Sequence, residues 1–449
     1  MGRLQSEHLM ARPFQEPRPN RFLMWLLGHV NRWFLLFGIP VLRHVPVLRD
    51  LPGIRGYFWV REFDLPQPDL DRLTGAVNPG TAAFLGPNHQ EFGFDWMIDK
   101  EISTRIAPRM ASWVAANIIG TAPGFWLRNN LIANTGGEAA MRYSIDRALA
   151  GDSVLLHPEG SVHWTGSRIH PLFNGIADMA CEAARRAGPA GRPVYVVPIV
   201  WQVTYTADIS EALHREMGLV ERYLGLPERG SVNVTERFRA LQENILLRQM
   251  HVFGFEPNWV AGLDFFARQD AFRDWLIEDL ETRYTIQRCD SVERLLTRFK
   301  RAIPTDLRTD RAKVDEAMRL CGFSRDVYAL KPLTQEQMAE SLKRHRATLV
   351  RRGWRNVLHN YLPTPLGPRV VRVRVPEPIL VDPVRAEREG EAYARAILAM
   401  THERMQGMLT ATDDRRTVTQ SPNFLSTAAR ISASVLPSLT ILPTNDDSI

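Results

Sequence analysis

The chain is poor in cysteine: Cys181, Cys289 and Cys321 are far apart and odd in number. This excludes a disulfide framework and a zinc site built on paired cysteines, and it suits a reducing compartment. No Gly-x-Ser-x-Gly elbow occurs, so the usual signal of a serine hydrolase is missing. No His-Glu-x-x-His occurs either, which removes the commonest zinc-hydrolase pattern. Repeats at solenoid spacing are absent. The formal net charge is only +6 over 449 residues. That excess is too small for a dedicated nucleic-acid binder and fits an anionic membrane surface or acidic substrates.

An unbroken apolar run of membrane-spanning length is also lacking. The most apolar stretch, residues 22–42, is interrupted at its centre by His29, Asn31 and Arg32. An arginine at mid-bilayer is expensive, which argues against a simple spanning helix. Phe22, Trp25, Trp33 and Phe34 suit the headgroup level, so a helix or two short ones lying in the interface is expected. No small-residue cleavage site follows, so a signal peptide is not expected.

What is present reads first as α/β. Residues 81–86 form a short apolar run ended by Gly86-Pro87, the pattern of a buried strand entering a loop. Helical spacing over 136–150 places Ala140, Ile145 and Leu149 inward. A turn at Gly151-Asp152 leads to a strand at 153–156, then a helix over 171–187. Residues 193–202 read as a strand in which Pro198 marks an end or an irregularity. The alternation predicts a mixed, largely parallel sheet flanked by helices.

From 205 to 361 the chain is polar and mainly helix-like, with helices expected at 210–223, 265–283 and 291–301. Thr334 and Gln337 fit a capping box that opens a helix running toward Arg352 and ended by Gly353. Residues 370–375 alternate valine with arginine as a half-exposed strand would, and a last helix covers 388–409. The expected organisation is a membrane-associated segment and linker (1–69), an α/β domain (70–204), a helical insertion (205–361), a strand and helix completing the domain (362–409), and a disordered tail (410–449).

Two strand-end loops carry the chemistry. His89 follows the first strand and Asp95 lies six positions on, with Glu91 and Asp99 as neighbouring acids. A histidine backed by a carboxylate can act as a general base on a hydroxyl, the acid fixing its tautomer and stabilising imidazolium. The next strand runs into His157-Pro158-Glu159-Gly160-Ser161. Gly160 permits a turn whose backbone N–H groups can face an anion or oxyanion. Arg128, between the loops in sequence, is a candidate partner for a phosphate or carboxylate.

These residues resemble the motifs of the 1-acylglycerol-3-phosphate acyltransferase superfamily. Asn88, His89 and Asp95 match its Asn-His…Asp motif, and Phe125 with Arg128 its second. His157-Pro158-Glu159-Gly160-Ser161-Val162-His163 resembles its Phe-Pro-Glu-Gly-Thr-Arg-Ser motif. Val197-Pro198-Ile199 resembles its fourth, Phe173-Asn174-Gly175-Ile176 its glycine helix, and residues 373–378 its closing strand. The resemblance covers roughly 70–204 and 370–409. Two departures stand out. Five residues rather than four separate His89 from Asp95, and Gly93 is placed to absorb the extra one. Val162 replaces the arginine that in the family helps hold the acceptor's phosphate, and His163, Arg168 or His170 are candidate substitutes.

The resemblance implies a membrane-associated enzyme on the cytoplasmic face. It would move a fatty acyl group from acyl-CoA or acyl carrier protein to a hydroxyl of a lysophospholipid or related lipid. No cofactor is implied beyond the thioester co-substrate, and no metal or nucleic acid. His89 and Asp95 would be catalytic. Asn88, Arg128, Glu159, Gly160, Ser161, His163 and Arg168 would bind substrate, and Phe92, Phe94, Trp96, Phe125 and Trp126 would line an acyl path. The basic residues Lys343, Arg344, Arg346, Arg351, Arg352 and Arg355 would face acidic headgroups or the carrier protein, or else form a solvated helix face. The competing reading is a non-catalytic lipid-binding or scaffold protein of the same fold. A wide gap between His89 and Asp95 would favour it.

Overall fold

The computed structural model describes residues 14–45, 48, 50–91, 93–119, 122–135, 137–227, 233–287, 289, 291–329, 332–350, 359 and 362–412. Of the expected tail (410–449), residues 410 and 411 belong to the last helix and those from 413 onward lie outside the described residues, as do Phe92, Arg351, Arg352, Gly353 and Arg355.

The fold is α/β. Among the described residues its eight strands are β1 (Val60–Asp64), β2 (Ala82–Pro87), β3 (Met110–Ala115), β4 (Leu131–Asn134), β5 (Ser153–Leu155), β6 (Val194–Tyr205), β7 (Arg369–Arg374) and β8 (Ile379–Leu380). The sheet order is β1-β7-β6-β2-β5-β3-β4, with β8 pairing β6 off this path. Every pairing is parallel except those of β6 with β7 and with β8, so the sheet is mixed and largely parallel. β1 lies in the stretch read from sequence as linker, yet it pairs with β7 from Val60↔Arg369 to Asp64↔Arg372.

Alternation along the strands sends side chains into a core on each face. Phe84, Val154 and Val196 pack with helices α6 (Glu138–Leu149) and α7 (Gly175–Ala187). Leu85, Leu155, Val197, Trp201, Val371 and Val373 pack on the other face with α2 (Gln67–Ala76) and α3 (Phe94–Ser103). Pro198 does not end its strand, because β6 runs through it for twelve residues. β8 pairs Tyr195 and Val196 while β7 begins at Val200, so Pro198 sits in the gap between those partners, where its missing N–H costs no ladder bond.

The N-terminal helix α1 (Arg21–Val30) passes directly into a π-helical turn over Asn31–Leu36. The polar interruption turns toward the protein. Asn31 donates to the Met97 carbonyl at 2.9 Å, and Arg32 pairs with Glu101 at 2.6 Å. Phe22, Trp25 and Phe34 stand outward at 68, 55 and 64 % exposure. Among the described residues no helix is long and apolar enough to cross a membrane.

Among the described residues the elements between β6 and β7 are α-helical, apart from one 3-10 turn at Pro257–Val260. They include α8 (Ser210–Leu224), α9 (Val234–Phe253), α10 (Phe265–Arg283), α11 (Val292–Ala302), α12 (Arg308–Cys321), α13 (Arg325–Tyr328) and α14 (Gln335–Leu349). The Thr334–Gln337 capping box is formed as expected, with both reciprocal bonds present. The single last helix expected over 388–409 is two, α15 (Pro383–Glu389) and α16 (Glu391–Ala411), because Gly390 at φ +53° breaks the run.

Candidate active site

β2 and β5 lie side by side, Leu85 opposite Leu155, so their carboxyl-end loops meet. His89 leaves the first loop and His157 the second. After His89 the chain turns at Gly93, whose φ of +77° opens α3. A residue with a side chain rarely adopts that backbone, so the glycine absorbs the additional residue between His89 and Asp95. Asp95 is fully buried in the first turn of α3. Its Oδ2 bonds His89 Nδ1, and its Oδ1 accepts the Glu91 amide at 3.1 Å. The expected contact is therefore made despite the shifted spacing. His89 Nε2 has no internal partner among the described residues, and the side chain keeps 15 % of its surface open.

A second pair lies against the first. His157 stacks on His89 with ring centroids 4.1 Å apart and planes 13° apart. Its Nε2 lies 3.0 Å from Asp99 Oδ2, and its Nδ1 is 3.1 Å from the Asn88 carbonyl. Asp99 is four residues beyond Asp95, one turn along the same face of α3. Sequence reading named Asp99 only as a spare acid and left His157 without a role. The i,i+4 acids and a histidine at the phenylalanine position of the motif were the signal.

The electrostatics follow from burial. Desolvation holds His89 well below the ordinary imidazole value, and the charge on His157 adds to this. Burial also pushes Asp95 up to about 8, against the pull of His157 and backbone N–H groups. Both shifts disfavour a separated charge pair at rest. Burial opposes a charge on His157 as well, but the charge and hydrogen bond of Asp99, with Asp95 behind, outweigh it and raise the ring to about 9.

His89, Asp95 and His157 each place a potential donor atom within 4.8 Å of the others. In-plane lone pairs of two parallel rings do not converge on one ion. Both nitrogens of His157 and both oxygens of Asp95 are already committed to internal partners. The trio is a hydrogen-bonded acid–base cluster.

Several residues expected at substrate make internal contacts that hold the loops. Asn88 is buried. Its Oδ1 accepts the Trp201 amide at 2.9 Å and its Nδ2 donates to the Trp201 carbonyl at 3.0 Å, extending the ladder to β6 by a side chain. Glu159 accepts the His89 amide at 2.7 Å on one oxygen and the His170 amide at 3.0 Å on the other. Burial raises its carboxyl to about 7 against those two bonds. Gly160, at φ +71°, closes the turn onto the His157 carbonyl, and a Cβ there would meet the Phe173 ring at 2.8 Å. Ser161 Oγ is 3.3 Å from His163 Nε2, and the His163 amide donates to the His89 carbonyl at 3.3 Å. The His163 ring stacks on His170 at 3.7 Å, and burial brings its pKa down to about 3. Arg168 reaches Glu293 at 3.6 Å. Arg128, exposed at the end of α5 (Pro123–Arg128), does not join the cavity wall described next.

A cavity of about 1050 Å³ lies between α1, α3, β3 and α5. Trp25, Trp96, Trp113, Phe125 and Trp126 supply apolar wall, and it reaches Asp99 and His157. Phe94 is not on it. That ring is fully buried in the core beneath the Arg369 guanidinium, which stands 4.2 Å from the ring centre.

The described members of the expected basic surface are inside the protein. Lys343 pairs with Glu91 at 2.7 Å, Arg344 donates to the Trp164 carbonyl at 2.8 Å, and Arg346 pairs with Glu216 at 2.9 Å. All three are buried, so they offer nothing to a headgroup or carrier protein.

No protein-family model matches the chain, and no curated protein matches it.

Proposed function

We propose that the protein is an acyltransferase that moves a fatty acyl group from acyl-CoA or acyl carrier protein to a hydroxyl of a lysophospholipid or related lipid. The observation that carries this reading is the contact of His89 Nδ1 with buried Asp95 while Nε2 makes no internal hydrogen bond among the described residues. That is the arrangement a positioned general base needs. His89 takes the acceptor proton on Nε2 as the acceptor oxygen attacks the thioester carbonyl. The tetrahedral intermediate collapses with loss of the thiolate, which recovers the proton from the imidazolium. Asp95 holds the tautomer and faces the positive charge as it forms. The aromatic cavity reaches His157, whose ring stacks on His89, and supplies volume for an acyl chain, although His89 itself is not on its wall.

Contact between His89 and Asp95 supports catalysis over the non-catalytic lipid-binding reading. The outward aromatic face of α1 supports an interfacial position at a membrane, on the cytoplasmic side where thioester donors are found. We read residues 205–361 as an insertion in the sheet domain. Tyr205 at the end of β6 pairs with Arg369 at the start of β7, so the chain leaves and re-enters the sheet at one point. The test is a lipid-product assay across several lysophospholipid acceptors with both thioester donors. Transfer by the parent and its loss in His89→Ala are expected. Parental turnover in a folded His89→Ala protein would refute the mechanism.

A further inference from the structure

The second histidine–carboxylate pair has a use that the first does not explain. His157 Nδ1 faces only acceptors, the carbonyls of Asn88 at 3.1 Å and Pro87 at 3.3 Å, so that nitrogen must carry a proton. Nε2 faces the Asp99 carboxylate at 3.0 Å. An imidazole flanked in this way by a carbonyl and a carboxylate is suited to hold two protons. Its face lies flat on His89 at 4.1 Å, and a positive charge at that distance opposes a second proton on His89.

We propose that His157, held as an imidazolium by Asp99 and the Asn88 carbonyl, is a positioning residue that fixes the plane of His89 and keeps its Nε2 unprotonated near neutrality. The inference rests on His89 being the base. The titratable groups around the two rings are Asp95 and Asp99 on α3, Glu91 and Glu159 in the strand-end loops, and His163. Arg32 and Lys100 stand further along the same cavity wall. None of these is stacked on His89; among the described residues His157 alone is both stacked on that ring and bonded to a carboxylate of its own. Without it, protons would compete for Nε2 at a higher pH and the base would be lost on the acid side. The depressed His89 and raised His157 values agree with this division of charge.

The test uses the full chain with His157→Phe, which keeps an aromatic stack and removes the charge. His157→Gln, uncharged but able to hydrogen-bond, serves if the first variant does not fold. Carbon-13-labelled histidine is followed by NMR from pH 4 to 9, with the His89 signal assigned by its loss in His89→Ala. His89 is expected to titrate at a higher pH in the variant than in the parent, moving toward the free imidazole value of about 6.5. In parallel, the acid limb of the acyl-transfer profile should move up by the same interval, with rate falling about tenfold per pH unit below it. Identical His89 titration in folded parent and variant would overturn the proposal, whatever the activity. A displaced His89 titration in a protein with no transfer activity on any acceptor would uphold the charge coupling and sink the transferase reading instead.

Discussion

Lys343 sets its ammonium 2.7 Å from Glu91 Oε2, and the Glu91 amide in turn donates to Asp95 at 3.1 Å. A buried lysine on α14 thus holds the loop that supports the His89–Asp95 pair. Burial pulls the Lys343 pKa down, and the Glu91 carboxylate opposes that pull. Removing one partner of a buried ion pair leaves a charge without compensation, at a cost of about 3–5 kcal/mol. Lys343→Met should lower stability by that order, softened by Arg369, which lies 3.5 Å from the same oxygen. The double variant Lys343→Met with Glu91→Gln should recover much of the loss. Urea unfolding of the three proteins measures both; a double variant no more stable than Lys343→Met would contradict the pairing.

The base pair itself is tested by rate. Loss of a positioned general base costs about 10²–10⁴-fold, so His89→Ala should reduce turnover by at least ~100-fold with the fold intact. Asp95→Asn should also slow turnover while leaving acceptor binding nearly unchanged, because an amide cannot supply a carboxylate's charge to the imidazolium. Initial rates on the purified proteins decide this, with circular dichroism as the check on folding.

Gly93 gives a backbone test. Its φ of +77° and ψ of −43° lie where a side chain is strained, by about 1–3 kcal/mol. Gly93→Ala should destabilise the protein by that amount and turn Asp95 from His89. Turnover should then fall by more than the loss of folded protein explains. A thermally shifted but fully active variant would show that the turn does not set the pair.

The pH dependence of stability has a defined sign. His157 titrates at about 9 in the folded protein against an ordinary value of 6.5. A raised imidazole contributes its stabilisation in full below about 6.5 and loses it as pH rises through about 9. The parent should therefore lose stability between pH 7 and 10 relative to His157→Phe, the difference between the two denaturation midpoints closing across that window. A difference that stays constant would mean that the ring carries no extra proton.

The proposed membrane attachment should be separable from folding. Phe22, Trp25 and Phe34 are exposed, so replacing all three with serine should weaken vesicle co-sedimentation at little cost to the thermal midpoint. Unchanged sedimentation would remove α1 as the contact.

Much of the sheet was legible because its central strands are short apolar runs bounded by glycine and proline. The runs at 81–86, 153–156 and 193–202 became β2, β5 and β6 to within a few residues. β1, β3, β4 and β8 were not read: β3 (Met110–Ala115) has no glycine or proline directly at either end, and β8 is two residues long. Val60–Asp64 is largely polar on an edge, and Leu131–Asn134 is only four residues long. His89, Asp95 and the turning role of Gly93 could be read from spacing. The buried bonding of Asn88 and Glu159 could not, since their partners at Trp201 and His170 are set by how the loops fold together. The basic helix misled for a related reason. Lys343, Arg344 and Arg346 read as a solvent or ligand face, and only the meeting of α14 with Glu91, Trp164 and Glu216 takes them inside.

The pairing of β1 with β7 also bears on synthesis. Among the described residues, Val60 and its neighbours find their one strand partner at residues 369–372, after every helix from α8 to α14 has been made. An emerging chain can assemble β2, β3, β4, β5 and β6 early, but its first strand must wait with unpaired backbone until most of the protein has left the ribosome. Closure of that edge is a late, long-range event, and slow steps of this kind leave strands open to wrong partners. A ribosome-bound chain ending before residue 369 should therefore expose β1 to protease, and one extended past the end of α16 should protect it.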